Sequence, residues 1–130
     1  MNAAIEFHDS EISSVVSEAG RLYIRFSAAY IHKSVGVPGV DSGGGYVQAI
    51  VIQLERAQWI GQLNECVGKL SDGKLEVNGQ EQKLVPLPFT VVGHIRLTLQ
   101  FSNGTELSVT AGDLEVSQIG EARYIESFAC

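Results

Sequence analysis

His94-Ile95-Arg96-Leu97-Thr98-Leu99-Gln100-Phe101 is followed by Ser102-Asn103-Gly104-Thr105 and then by Glu106-Leu107-Ser108-Val109-Thr110-Ala111. Apolar and polar residues alternate on both sides of the glycine, the period of two that marks strands with one face buried. The same pattern decides the turn length. A two-residue Asn103-Gly104 loop would set Leu99 opposite Ser108 and mix apolar with polar side chains on one face. A three-residue loop sets Leu99 opposite Leu107, Leu97 opposite Val109 and Ile95 opposite Ala111, and cross-strand partners share a face. The second register is the consistent one, and it places Gly104 at the left-handed position that closes such a loop.

Working outward, the same rule reads Glu18-Ala19-Gly20 as a three-residue loop between two further strands. It pairs Val16 with Leu22 and Ile12 with Phe26, and Ser13 with Arg25 on the other face, although Ser14 then meets Ile24. Residues 46–54 are apolar on both parities, with Val47, Ala49 and Val51 on one and Tyr46, Ile50, Ile52 and Leu54 on the other. That pattern predicts a central strand covered on both faces, the second cover being a helix, a long loop or another subunit. Residues 57–70 read two ways. Trp59, Leu63, Val67 and Leu70 have helical spacing, while Gly61 and Gly68 weaken a helix of that length. Residues 37–45 read as a loop, with Gly43, Gly44 and Gly45 suggesting mobility. Asp72-Gly73 and Asn78-Gly79 bracket a short strand at 74–77, and Pro86-Leu87-Pro88 interrupts the ladder before Val91. Segments 114–119 and 123–128 close the sheet.

Composition agrees. Valine and isoleucine number 24 against 11 leucines, and β-branched side chains favour the pleated strand. Fourteen glycines among 130 residues are the punctuation of short strands joined by tight turns. The expectation is a mostly β chain: a single antiparallel domain over residues 1–130, a β-sandwich or a small barrel, with room for one short helix. A net charge of −6 repels phosphate backbones and anionic lipid, which argues against nucleic-acid and membrane partners. Met1-Asn2-Ala3-Ala4-Ile5-Glu6 lacks the basic start and apolar run of a secretory signal, and Cys66 and Cys130 are too few for a disulfide framework. Cytoplasmic is the expected location.

Few residues invite chemistry. Phe7-His8-Asp9-Ser10 offers an Asp beside a His and a potential nucleophile, but adjacent side chains on an extended strand point apart. The plainer reading is a polar turn in which Asp9 or Ser10 bonds the backbone. His8, His32 and His94 match no metal-ligand spacing, so no metal and no cofactor are expected. His94 shares parity with Arg96 and Thr98 and should face solvent. Cys66 reads as a buried inert thiol and Cys130 as part of a flexible terminus. Ser42-Gly43-Gly44-Gly45 is no phosphate cradle, since it precedes a strand and lacks a following Lys-Ser/Thr. Tyr23, Tyr30, Tyr46, Trp59 and Tyr124 have no basic interleaving that would make a nucleic-acid stacking platform.

Phe7-His8-Asp9-Ser10-Glu11-Ile12, the hairpin from Leu99 to Leu107 and the ending Tyr124-Ile125-Glu126-Ser127-Phe128 resemble a group of small bacterial β proteins with no assigned activity. These open on a Phe-His-Asp-Ser/Ala element, and some are grouped with the immunity proteins of toxin systems. The resemblance implies a β-rich fold and a binding role, and it transfers no functional residue. The expected function is a non-enzymatic binding domain of a bacterial protein, its partner another protein or a second copy in a homodimer. One alternative is a small-ligand barrel with Trp59 and tyrosines lining an apolar pocket. The least supported is a hydrolase using His8 and Asp9.

Overall fold

A computed structural model describes residues 1–128. Among these residues nine strands make one sheet: β1 Asn2–Glu18, β2 Arg21–Ser34, β3 Gly43–Glu55, β4 Gln58–Ile60, β5 Gly68–Val77, β6 Gln80–Gln82, β7 Val85–Leu87, β8 Thr90–Phe101 and β9 Glu106–Phe128. All pairings are antiparallel, and they run β5-β8-β9-β3-β2-β1. A last pairing of β1 with β5, through Glu11 with Lys69 and Ile12 with Gly68, joins the two ends. The ring is therefore closed, and the sandwich-or-barrel choice falls to a small barrel. Closure removes the open edges that an antiparallel sheet would otherwise expose.

The hairpin that set the fold class holds its register. Leu99 faces Leu107, Leu97 faces Val109 and Ile95 faces Ala111, with Gly104 at φ +91°. The first hairpin differs from expectation. Its loop is the two residues Ala19 and Gly20, both left-handed at φ +52° and +78°, so Val15 faces Ile24, Val16 faces Tyr23 and Ser17 faces Leu22. Two positive φ values in a two-residue loop match the right-handed strand twist. A shift between Ile12 and Ser14 then restores Ile12 opposite Phe26 and sets Ser14, not Ser13, opposite Arg25. The expected Ser14–Ile24 mismatch vanishes.

Residues 57–70 are not a helix. They form β4 on the β9 edge, a single 3-10 turn at Leu63–Glu65 and the start of β5. Gly61 at φ +138° and Gly68 at +97° lie outside helical space, and they decide the matter. Trp59 packs half-buried against the core from β4. Strand β3 lies inside the sheet between β2 and β9, as expected of a central strand. Its second face is not covered, however. Ile50, Ile52 and Leu54 are buried, but Val47, Ala49 and Val51 are only half-buried, because the segment expected to roof them is not helical. Pro86 lies within β7, which pairs with β1 at the edge of the sheet, where a missing N–H is tolerated.

The barrel centre is filled. Phe26, Ile12, Ile24, Ile52, Leu75, Ile95 and Leu97 are among its fully buried side chains, and they join one contiguous core. A ring of six strands is narrower than the roughly eight that just leave room for side chains or one small ligand. Beyond the ring, the first half of β1, the second half of β2, the first half of β3 and the end of β9 continue as an open four-stranded extension. Strand β7 covers its β1 edge.

Candidate functional site

The extension meets the barrel at a line of irregularities. Register shifts fall between Glu6 and Glu11 on β1, Phe26 and Ala29 on β2, and opposite Gln48 on the β3–β9 pair. Two of the three buried polar side chains among the described residues pin this line. The Ser10 hydroxyl donates to the Glu6 carbonyl at 2.6 Å and accepts from the Tyr30 N–H at 2.9 Å. Gln48 donates to the Gly120 carbonyl at 2.8 Å and accepts from Gln118 at 3.0 Å. Ser10 is thus a bulge pin inside β1. The expected polar turn is a mid-strand bulge, with Asp9 left-handed at φ +72°. That bend brings His8 Nδ1 to 3.2 Å from Asp9 Oδ2, where a straight strand would part them, and both side chains are largely exposed.

The outward face of the extension carries an aromatic and acidic cluster. The Tyr30 hydroxyl donates to Glu126, and His32 Nε2 lies 3.2 Å from Glu6 Oε2. The Phe128 ring stacks on His32 at 5.0 Å, and Tyr30 meets His32 edge-on at 5.4 Å. Burial, then the hydrogen bond to Glu126, pushes the Tyr30 phenol well above its ordinary value. His32 Nδ1 is buried with no partner among the described residues, which fits a ring whose hydrogen sits on Nε2 and points at Glu6. Glycine makes this packing possible. A Cβ at Gly45 would stand 2.8 Å from Tyr30 Cζ and 3.1 Å from Phe128 Cζ.

Gly43, Gly44 and Gly45 therefore belong to β3, not to a mobile loop. They are small so that neighbouring rings and backbone can close in. On the inward face Gly43 and Gly44 floor an open cleft of about 410 Å3, walled by Tyr46, Tyr124, Ser127, Val35 and Met1. Tyr46 and Tyr124 meet edge-on at 5.5 Å, and Lys33 Nζ lies 4.5 Å from the Tyr46 ring centroid. The adjoining 35–42 loop is tied down. Ser34, the third buried polar residue, donates to the Ser42 carbonyl at 2.7 Å and accepts from the Gly36 N–H at 3.0 Å. Asp41 accepts from the Val37 N–H at 2.6 Å, and Asn2 donates to the Gly36 carbonyl at 2.7 Å. Held in this way, the loop turns Val35, Val37 and Val40 to solvent.

Of eleven large apolar residues exposed among the described ones, six (Met1, Val35, Val37, Val40, Tyr124 and Ile125) lie at this one end. Sequence reading missed the grouping, although valines recurring between the glycines of a loop were a visible sign. The other residues singled out remain apart. His94 is exposed on β8, and no group of three or more His, Cys, Asp or Glu among the described residues could hold a metal. Cys66 is fully buried, its thiol 3.3 Å from the Gln62 carbonyl, and burial raises its pKa. Cys130 lies outside the described residues. No helix among the described residues is long and apolar enough to cross a membrane. No protein-family model, curated protein or solved structure matches the chain.

Proposed function

We propose that the chain is a non-enzymatic binding domain that engages another protein through the open end of its barrel. In the reading that the resemblance suggests, it does so as an immunity protein does when it neutralises a toxin by occupying it. The carrying observation is that exposed Met1, Val35 and Tyr124 line the glycine-floored cleft, while Val37 and Val40 on the adjoining loop and Ile125 next to Tyr124 on β9 are exposed as well. Scattered exposed apolar residues need no explanation, but a contiguous group on a tethered loop marks an interaction surface. Tyrosine at its centre suits a contact that is apolar in body and polar at its tip. Two further observations support binding over the alternatives. The filled barrel centre leaves a small ligand no place there, and Ser10, the nucleophile a hydrolase would want, is committed to holding a bulge.

The test is calorimetry between the purified chain and the product of the gene beside its own. A one-to-one complex is expected, lost in a Val37→Asp/Val40→Asp variant whose thermal unfolding is unchanged. No heat of binding, or equal affinity for the double variant, would overturn the proposal.

A further inference from the structure

A different surface, the outer wall of the barrel, carries an inference that does not depend on the open end. On the outward side of β3, rows of side chains can be read across the sheet from the register. Val16, Tyr23, Gln53 and Glu115 make one row, and Ser14, Arg25, Val51 and Ser117 the next. Ala49 with Ile119 and Val47 with Arg123 follow along the wall. The centre of this face is thus an apolar stripe on β3, flanked by Arg25 on the β2 side and Glu115 on the β9 side. Val47, Ala49 and Val51 are half-buried, and among the described residues the elements packed closely on β3 are its sheet neighbours β2 and β9. Arg25 and Glu115 are exposed, and neither has an ion-pair partner among the described residues.

We infer that a second copy of this chain covers the stripe, forming a two-fold symmetric dimer with the symmetry axis running along β3. The charges select both the occupant and the axis. Rotation about an axis along the strand carries the β2 side of one subunit over the β9 side of the other. Arg25 then comes within reach of Glu115 of the partner subunit, and the symmetry makes the same contact twice. An axis across the strands at Val51 would instead bring Arg25 toward its own copy and Glu115 toward its own, a like-charge arrangement. The wall is self-complementary in one orientation only. Because a barrel wall curves away on both sides of β3, the contact is a narrow strip and the dimer is reversible.

Analytical ultracentrifugation of the full chain over a range of concentrations tests this. The wild type should sediment as a dimer that dissociates on dilution. Val51→Lys should sediment as a monomer with an unchanged far-ultraviolet spectrum, and its melting temperature should match that of the wild type at dilutions where the wild type is itself monomeric. Arg25→Glu and Glu115→Arg should each weaken the dimer by roughly tenfold or more, and the double swap Arg25→Glu/Glu115→Arg should restore most of that loss. A wild type that stays monomeric at every concentration overturns the dimer, as does a Val51→Lys chain that still pairs. Single charge variants without effect, or a double swap without recovery, overturn it equally. None of these results bears on the open end, whose test reads a different partner.

Discussion

The closed ring and the open extension are made from the same strands, yet they are held by different means. In the ring, alternation does most of the work: Ile12, Ile24, Phe26, Ile50, Ile52, Ile95, Leu97 and Leu107 point inward, and most outward positions are polar or half-buried. The extension cannot rely on that, because it has two faces and two edges to manage. It uses Ser10 and Gln48 to hold its bulges, and glycine to let Tyr30, His32 and Phe128 pack on the outward side. Its edges differ as well. β7 covers the β1 edge, whereas among the described residues β9 past Val116 pairs only with β3. Register shifts beside Gly120 and Ile125, and the charges of Glu121, Arg123 and Glu126, make that free edge a poor template for another strand. A fold built by alternation is robust and bland, and the specific chemistry of this molecule sits where alternation stops.

The largest effect that would break the comparison lies in the ring. Ile52→Asp places an unpaired carboxylate in a fully buried site and should cost roughly 4 kcal/mol or more, enough to unfold a marginal domain. Its neighbour Val51→Asp, on the half-covered face, should change the melting free energy by no more than about 1 kcal/mol. Equal damage from the two in urea unfolding would mean that the two faces of β3 are equally dry.

At the joint, Ser10→Ala removes the partner of the Glu6 carbonyl and of the Tyr30 N–H together, and should cost about 2–3 kcal/mol. An unchanged urea midpoint would show that the bulge needs no pin. Within the extension, Gly45→Ala pushes a methyl group against Tyr30 and Phe128 and should cost about 1–2 kcal/mol. Its signature is local. Amide exchange should quicken at residues 30–34 and 43–47 and stay unchanged in the hairpin from Ile95 to Ala111, whereas uniform quickening would mean that ring and extension open as one unit.

These contrasts also say what the sequence could disclose. The Ile95–Ala111 hairpin was legible because period-two alternation on both strands admits one loop length, and β3 was legible as central because both its parities are apolar. The first hairpin was only half legible. Ala19 in the left-handed conformation is not announced by its side chain, and a later bulge happened to return Ile12 to Phe26. Closure of the ring rests on two residue pairs between β1 and β5, too few to leave a pattern. The open end was hidden for another reason. Gly43-Gly44-Gly45 signals freedom when read along the chain, but in the sheet it signals neighbours that come close. That distinction depends on Tyr30 and Phe128, far away in sequence.

The smallest effect at neutral pH is the most specific to the extension. Buried beside Glu126, the Tyr30 phenol holds its proton to higher pH than its ordinary 10.0. Below that value the folded and unfolded chains both carry the proton, so the contribution to stability is complete. Above it the unfolded chain gives up its proton first, and stability falls as pH rises until the folded state titrates too. The informative quantity is the difference between the wild type and Tyr30→Phe, which has no phenol to lose. Urea midpoints of the two, followed from about pH 8 to about pH 11, should run parallel at first and then converge or cross as the wild type loses stability faster. Parallel curves throughout would place Tyr30 in contact with water. The outward cluster would then be loose, and the glycine-lined packing that separates the extension from the ring would have no energetic content.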